Sequence, residues 1–243
     1  MPPLRAILFD YVHTLADSGD TGALRWHFFS QALRRLVQAL PARRRQELPF
    51  TFFSVVGYVS RGYSSSYEHG EHAEADLRAL FAEGFRQYGL PLEDSLVDEI
   101  TALNHSAYAE RVVVPESTRQ TLERLRQQGL RLGVVSNNMF QRRWMGGFPL
   151  LFSRDGLLDA VVLSSDVGVR KPAQRIYRTA LEQLGVSAAE TIFVGDRLVE
   201  DVRAPKALGM PRAYLTYEFR REPDPQVEAD GILRRLPDLL ELL

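Results

Sequence analysis

Five short, almost uninterrupted apolar runs limit how this chain can fold: 5–9 (RAILF), 130–135 (LRLGVV), 160–164 (AVVLS), 191–194 (TIFV) and 212–215 (RAYL). A strand with one face in water alternates apolar and polar residues, whereas an unbroken run belongs to a strand covered on both faces. Helical patterns precede the second run and separate the last three. Residues 116–128 stop at Gly129, 172–184 open with Pro172 and stop at Gly185, and 199–208 stop at Gly209. Proline suits a first helical turn, and glycine the position just past the last. Strands and helices that alternate through short loops predict an α/β fold, a doubly wound parallel sheet covered by helices.

The stretch 16–112 breaks this rhythm. It carries amphipathic helical patterns at 24–40, 74–88 and 93–110, and a Ser/Tyr/Gly/His-rich section (RGYSSSYEHGEH) that reads as a loop. No buried-strand run occurs in it, so a mostly helical insertion is expected. The division is then a core of residues 1–15 and 113–243 and an inserted domain of 16–112. The aromatic section 50–58 (FTFFSVVGY) suits either a core or an interface. Residues 217–228 read as an exposed loop before a last helix ending in LPDLLELL.

Composition narrows the function classes. Of 243 residues, 45% are hydrophobic and 25% charged, with a net charge of -1. That is an ordinary globular profile, without the basic surplus that nucleic acid or an anionic membrane attracts. No stretch approaches the roughly 20 apolar residues that span a bilayer, and MPPLRAILFD lacks the long apolar segment of a signal peptide. The chain has no cysteine. This excludes disulfides, thiolate nucleophiles and cysteine-ligated zinc, and is compatible with the cytoplasmic location expected here. Of 30 basic side chains only Lys171 and Lys206 are lysines, so a lysine stands out in this chain.

In an open parallel sheet, ligands bind beyond the carboxyl ends of the strands. Asp10 and Thr14 follow the first run; Ser136, Asn137 and Asn138 the second; Ser165, Asp166 and then Lys171 the third; Gly195 and Asp196, with Asp201 further on, the fourth. Singly, each is an ordinary cap or turn former. Together, in chain order, they bring carboxylates, a lysine and a hydroxyl to one crevice, a set of groups that phosphoryl chemistry uses.

Over nearly its whole length the sequence resembles the haloacid dehalogenase-like hydrolase superfamily. The resemblance rests on Asp10-Tyr11-Val12-His13-Thr14-Leu15, Ser136-Asn137, Lys171-Pro172, and Gly195-Asp196 through Asp201, with the insertion placed between the first two motifs. It implies a Rossmann-like core with a helical cap domain, and Asp10 as a nucleophile that forms an aspartyl intermediate. Mg²⁺ would be held by Asp10, Asp196, Asp201 and the backbone carbonyl of Val12, hard oxygen donors of the kind this ion prefers. Ser136 and Asn137 would take phosphoryl oxygens, Lys171 would neutralise phosphate and Asp10, and Thr14 would brace the loop. The expected substrate is a small phosphorylated metabolite, with no nucleic-acid or membrane partner, and the chain a monomer or homodimer.

One departure matters. Phosphatases of this family carry a second Asp two residues after the nucleophile, as general acid and base, and a glycine next; here these are Val12 and His13. A positioned general acid contributes roughly 10²–10⁴ in rate, so activated acyl or aryl phosphates should suffer least from its loss. His13, with an intrinsic pKa of about 6.5, is a candidate substitute. A metal-independent 2-haloacid dehalogenase and a weakened ligand- or protein-binding module are the alternative functions. Arg25, His27, Tyr63, Tyr67 and His69 are the cap residues considered for substrate choice, since a cap closes over the crevice.

Overall fold

β1 (Ala6–Phe9) lies at the middle of a six-stranded sheet of order β3-β2-β1-β4-β5-β6. The other strands are β2 (Arg131–Ser136), β3 (Ala160–Leu163), β4 (Thr191–Gly195), β5 (Ala213–Thr216) and β6 (Gly231–Leu233). Every neighbouring pair is parallel. This computed structural model describes residues 2–19, 21–68, 72–140, 156–219 and 228–243, without the side chains of 21–25 and 66–68. All four β1 residues are fully buried, as a strand covered on both faces requires. The strand order reverses at β1, where such sheets open a crevice at their carboxyl ends. Phe9 pairs with Val134 on one side and Val194 on the other. The register thus carries Asp10 one step, and Asp196 two steps, past the Phe9–Val194 pair.

The chain parts into two compact units: Met1–Ser18 with Val112–Asn138 and Phe148–Leu243, and Gly19–Arg111 with Met139–Gly147. In the sheet unit, α5 (Glu116–Gln127) and α7 (Gln174–Leu184) end where Gly129 and Gly185 take left-handed backbone at φ 84 and 62. The Leu181, Ile176 and Tyr177 side chains of α7 pack on Leu8, Val135 and Phe193 in one apolar cluster. A four-residue helix, α6 (Ser164–Val167), follows β3 directly. The helix expected at 199–208 is a widened π turn over Leu198–Arg203 that runs into the short α8 (Ala204–Ala207). Asp17 and Val113, both of this unit, clasp each other as an antiparallel pair, each N–H donating to the other's carbonyl at 2.9 and 2.8 Å.

The second unit contains α1 (Thr21–Ala39), α2 (Leu48–Glu68), α3 (Leu77–Gln87) and α4 (Asp94–Ala109). Phe28, Phe52, Phe81 and Phe85 are buried and meet ring to ring, with Phe52 and Phe85 stacked at 5.9 Å. Asp76 caps α3 by accepting from the Ala79 N–H at 3.0 Å. The section expected as a loop, RGYSSSYEHGEH, is instead helical as far as Glu68. Local propensity loses here to packing. Phe52, Val55 and Val59 bury a stripe that fixes the helix, and Gly62 continues it because a Cβ there would lie 2.6 Å from Leu80 Cδ2. His69 lies outside the described residues.

Two further expectations change at the carboxyl terminus. The region after Tyr217 supplies an edge strand, β6, and the closing element is a 3₁₀ helix over Leu236–Glu241 with Pro237 in its first turn. Residues 220–227 of the expected loop lie outside the described residues. Among the described residues, no helix is long and apolar enough to cross a membrane.

Candidate active site

The first loop is wound around one carbonyl. The Tyr11 oxygen accepts from the N–H groups of Thr14, Leu15 and Ala16 at 3.3, 2.8 and 3.0 Å, and the His13 N–H donates to Ala16 at 2.7 Å. To close this turn His13 adopts φ 69, a left-handed conformation that costs a residue with a Cβ. A glycine would carry that φ freely, so this chain holds a side chain where the geometry favours none. The Thr14 hydroxyl is fully buried and has no hydrogen-bond partner among the described residues.

Asp10, Asp196 and Asp201 are all buried, and a carboxylate oxygen from each lies within 4.8 Å of the others. Three anions cannot share such a space without cations. Lys171 supplies one: its Nζ donates to Asp10 Oδ1 and to Asp201 Oδ1, both at 2.7 Å. Burial alone would push the Lys171 ammonium down, but the charges of Asp10 and Asp201 hold it above the usual lysine range. Burial drives the Asp201 carboxyl up, to about 6, against the pull of Lys171, with the charge of Asp10 adding to the rise. Lys171 is one of two lysines in the chain, and the structure places it at the centre of the charge cluster.

Asp201 is fully committed. While Oδ1 takes the Lys171 ammonium, Oδ2 accepts the Asp196 and Arg197 N–H groups at 3.0 and 2.9 Å. It therefore fixes the backbone that carries Asp196. Gly195 permits this, because a Cβ there would sit 2.2 Å from Asp201 Cγ. Asn137 plays a matching part on the other side. Its Oδ1 accepts the Lys171 N–H at 2.7 Å and its Nδ2 donates to the Lys171 carbonyl at 3.1 Å, so its side chain grips the peptide of Lys171. The Lys171–Pro172 bond next to that grip is cis. Ser136 ends β2, buried, and the Asn138 N–H donates to Ser164 Oγ at 2.7 Å.

Asp10, Lys171, Asp196 and Asp201 are thus brought together, and Asn137 joins them through the Lys171 backbone. Two supporting residues carried no motif. Phe193 on β4 lies under the ammonium, 5.4 Å from ring centre to Lys171 Nζ, and Tyr177 meets Phe193 edge-on at 5.7 Å. Tyr177 Oη also donates to the Glu200 carbonyl, and burial raises its phenol well above the ordinary value. The available signal was position: Phe193 precedes Asp196 on a buried strand, and Tyr177 is one helical stretch after Lys171. Of the cap residues considered, His27 hydrogen-bonds Glu110 at 3.2 Å and Gln31 at 2.7 Å within its own unit. Tyr63 is half-buried on α2, and the side chains of Arg25 and Tyr67 lie outside the description.

The sequence profile of haloacid dehalogenase-like hydrolases matches residues 4–209. Glyceraldehyde 3-phosphate phosphatase of Pyrococcus furiosus is 33% identical over 100% of this chain and 94% of its own length. Pyrophosphatase PpaX of Halalkalibacterium halodurans is 31% identical over 64% of this chain and 76% of its own length. Among solved structures, a HAD phosphatase from Thermococcus onnurineus superposes with a TM-score of 0.64 at 25% identity, covering 98% of this chain and 97% of its own. A 2-haloacid dehalogenase from Pseudomonas syringae pv. Tomato DC3000 reaches 0.71 at 22% identity with the same coverage, a likeness of fold. With its motifs gathered at the crevice of a parallel sheet, this chain belongs to the haloacid dehalogenase-like hydrolase family.

Proposed function

We infer that the protein is a Mg²⁺-dependent phosphohydrolase acting on a small phosphorylated metabolite through an aspartyl-phosphate on Asp10. The observation that carries this reading is the buried cluster of Asp10, Asp196 and Asp201 with a lysine bound to two of its members. A carboxylate attacking a phosphate meets charge repulsion, and such a cluster gathers the cations that offset it. The names of the relatives, glyceraldehyde 3-phosphate phosphatase and pyrophosphatase, support a phosphoryl substrate over a haloacid.

The donor set fits a hard divalent ion. Asp10 and Asp196, with the Val12 carbonyl, would hold it; Asp201, whose oxygens already serve Lys171 and two amides, would anchor the site from behind. When bound, Mg²⁺ neutralises phosphate oxygens and orients them for attack. Asp10 then forms the new P–O bond as the bond to the leaving oxygen breaks. Water attacks the same phosphorus in the second step, which releases phosphate and restores Asp10. Ser136 and the backbone N–H of Asn137 are the proposed donors to phosphoryl oxygens, and Thr14, whose N–H donates to the Tyr11 carbonyl, the loop brace. Lys171, fixed by Asn137 and Phe193, sets its ammonium against the attacking carboxylate of Asp10.

Aryl phosphate hydrolysis tests the reading. Activity is expected with Mg²⁺ and lost in excess chelator; undiminished turnover in chelator, or halide release from a 2-haloacid without metal, would overturn it. Val12 supplies no proton to a leaving group, so the rate should depend steeply on leaving-group acidity. Val12→Asp is expected to raise turnover of an alkyl phosphate by about 10–10³-fold while changing an aryl phosphate little, up to the usual worth of a general acid. Equal effects on both substrates would show that protonation is not what the wild type lacks.

A further inference from the structure

We propose that the protein forms a two-fold homodimer through the outward stripe of α2. Along this helix Phe50, Phe53 and Gly57 recur at helical spacing, and Glu47 and Arg61 extend the row at either end. Phe50 is 81% and Phe53 71% exposed, and Trp26 of the adjacent α1 is 70% exposed. The rings are continuous with the interior. Trp26 stacks on Phe29 at 5.9 Å, and Phe29 meets both the exposed Phe53 at 6.4 Å and the buried Phe52 at 5.0 Å. An aromatic side chain covers about 150–250 Å², so these three expose roughly 400 Å². That is about half of what one partner contributes to a standard interface, and the size of the largest apolar patch on a monomer, which often marks a functional surface.

Gly57 points to the occupant. Glycine inside a helix is unfavourable relative to alanine, and a close neighbour usually explains it. Here nothing within the described residues does: a Cβ at Gly57 would meet only Arg61 Nη1, at an ordinary 3.4 Å. The hollow it leaves lies one turn from the protruding Phe53. A protrusion beside a hollow on one stripe is what an isologous contact needs, in which residue i touches j and j touches i. Two copies of α2 packed antiparallel through this stripe, about an axis midway between Phe53 and Gly57, set Phe53 of each over Gly57 of the other. The same pairing carries Arg61 of each copy to the end of the other helix where Glu47 sits, so two opposite-charge pairs close the rim. Glu47 and Arg61 are both exposed.

The full chain is examined by light scattering and sedimentation equilibrium from about 1 to 100 µM, ranges in which modest interfaces dissociate. Twice the chain mass is expected for the wild type, and the single mass for Phe53→Glu with an unchanged circular dichroism spectrum and thermal melt. Because the chain has no cysteine, single variants Phe53→Cys and Gly57→Cys can be oxidised separately and mixed. Cross-links should form about tenfold faster in the mixture than in either alone. A wild type that stays single over the whole range overturns the proposal, as does a dimer that Phe53→Glu leaves intact. Cross-linking that is no faster in the mixture overturns the antiparallel pairing itself.

Discussion

Replacing Asp10 by Asn is expected to reduce turnover of an aryl phosphate by about 10⁴-fold or more, leaving only the rate that binding and charge can provide. The substitution keeps the shape of the side chain and removes the anion that attacks phosphorus. It also takes the charge off one of the two acceptors of the Lys171 ammonium, while the bond to the Asp201 carboxylate at 2.7 Å remains. The variant should therefore fold and bind a phosphate analogue while failing to turn over. Rapid-quench or mass measurement of a trapped adduct on the wild type, absent from Asp10→Asn, would place the intermediate on this residue. An Asp10→Asn variant that retained a tenth of the activity would end the nucleophile assignment.

Lys171→Met carries the largest expected effect on stability. Removing one partner of a buried ion pair typically costs about 3–5 kcal/mol, because the remaining charge stays unpaired. Here two carboxylates lose their cation at once, while Phe193 keeps an apolar floor that methionine fills without a clash. Asp201, already raised to about 6 by burial, rises further without the ammonium. A carboxyl whose folded pKa exceeds its unfolded value loses stability as pH rises above that unfolded value, near 4. The deficit relative to wild type should thus be small at pH 4 and grow toward pH 8, measured by urea unfolding without added metal. Lys171→Arg should not restore activity, since the planar guanidinium does not reproduce a point charge between two carboxylates. A pH-independent deficit would show that packing rather than charge is what Lys171 contributes.

Much of this architecture was legible before any coordinates. β1 to β5 announce themselves because a strand buried on both faces must be apolar throughout, and the polar residues that follow them mark the crevice. β6 leaves no such mark for the opposite reason: it is three residues long, at the sheet edge, with Ile232 exposed. The helix through Arg61–Glu68 is not legible locally, because serine and tyrosine are weak helix signals and burial earlier in α2 decides the conformation. At the site, residue types at strand ends named Asp10, Lys171, Asp196 and Asp201. What no spacing could give is how they are wired: that Asn137 grips the Lys171 peptide, and that Asp201 divides its two oxygens between an ammonium and two backbone amides. The left-handed φ of His13 belongs to the same class, since it follows from a turn closed around one carbonyl.

The Asp17–Val113 clasp has a consequence for how such a protein can change over generations. The chain between these two positions starts and ends at one antiparallel bridge of two hydrogen bonds, which lies outside the six strands of the sheet. Lengthening that excursion adds loop-closure entropy only logarithmically, and its cost falls on one junction. The spacing of Asp10 from Asp196 is set by the register of β1 on β4 and does not depend on the excursion at all. A lineage can therefore trade, extend or rebuild the helical excursion while inheriting its chemistry unaltered.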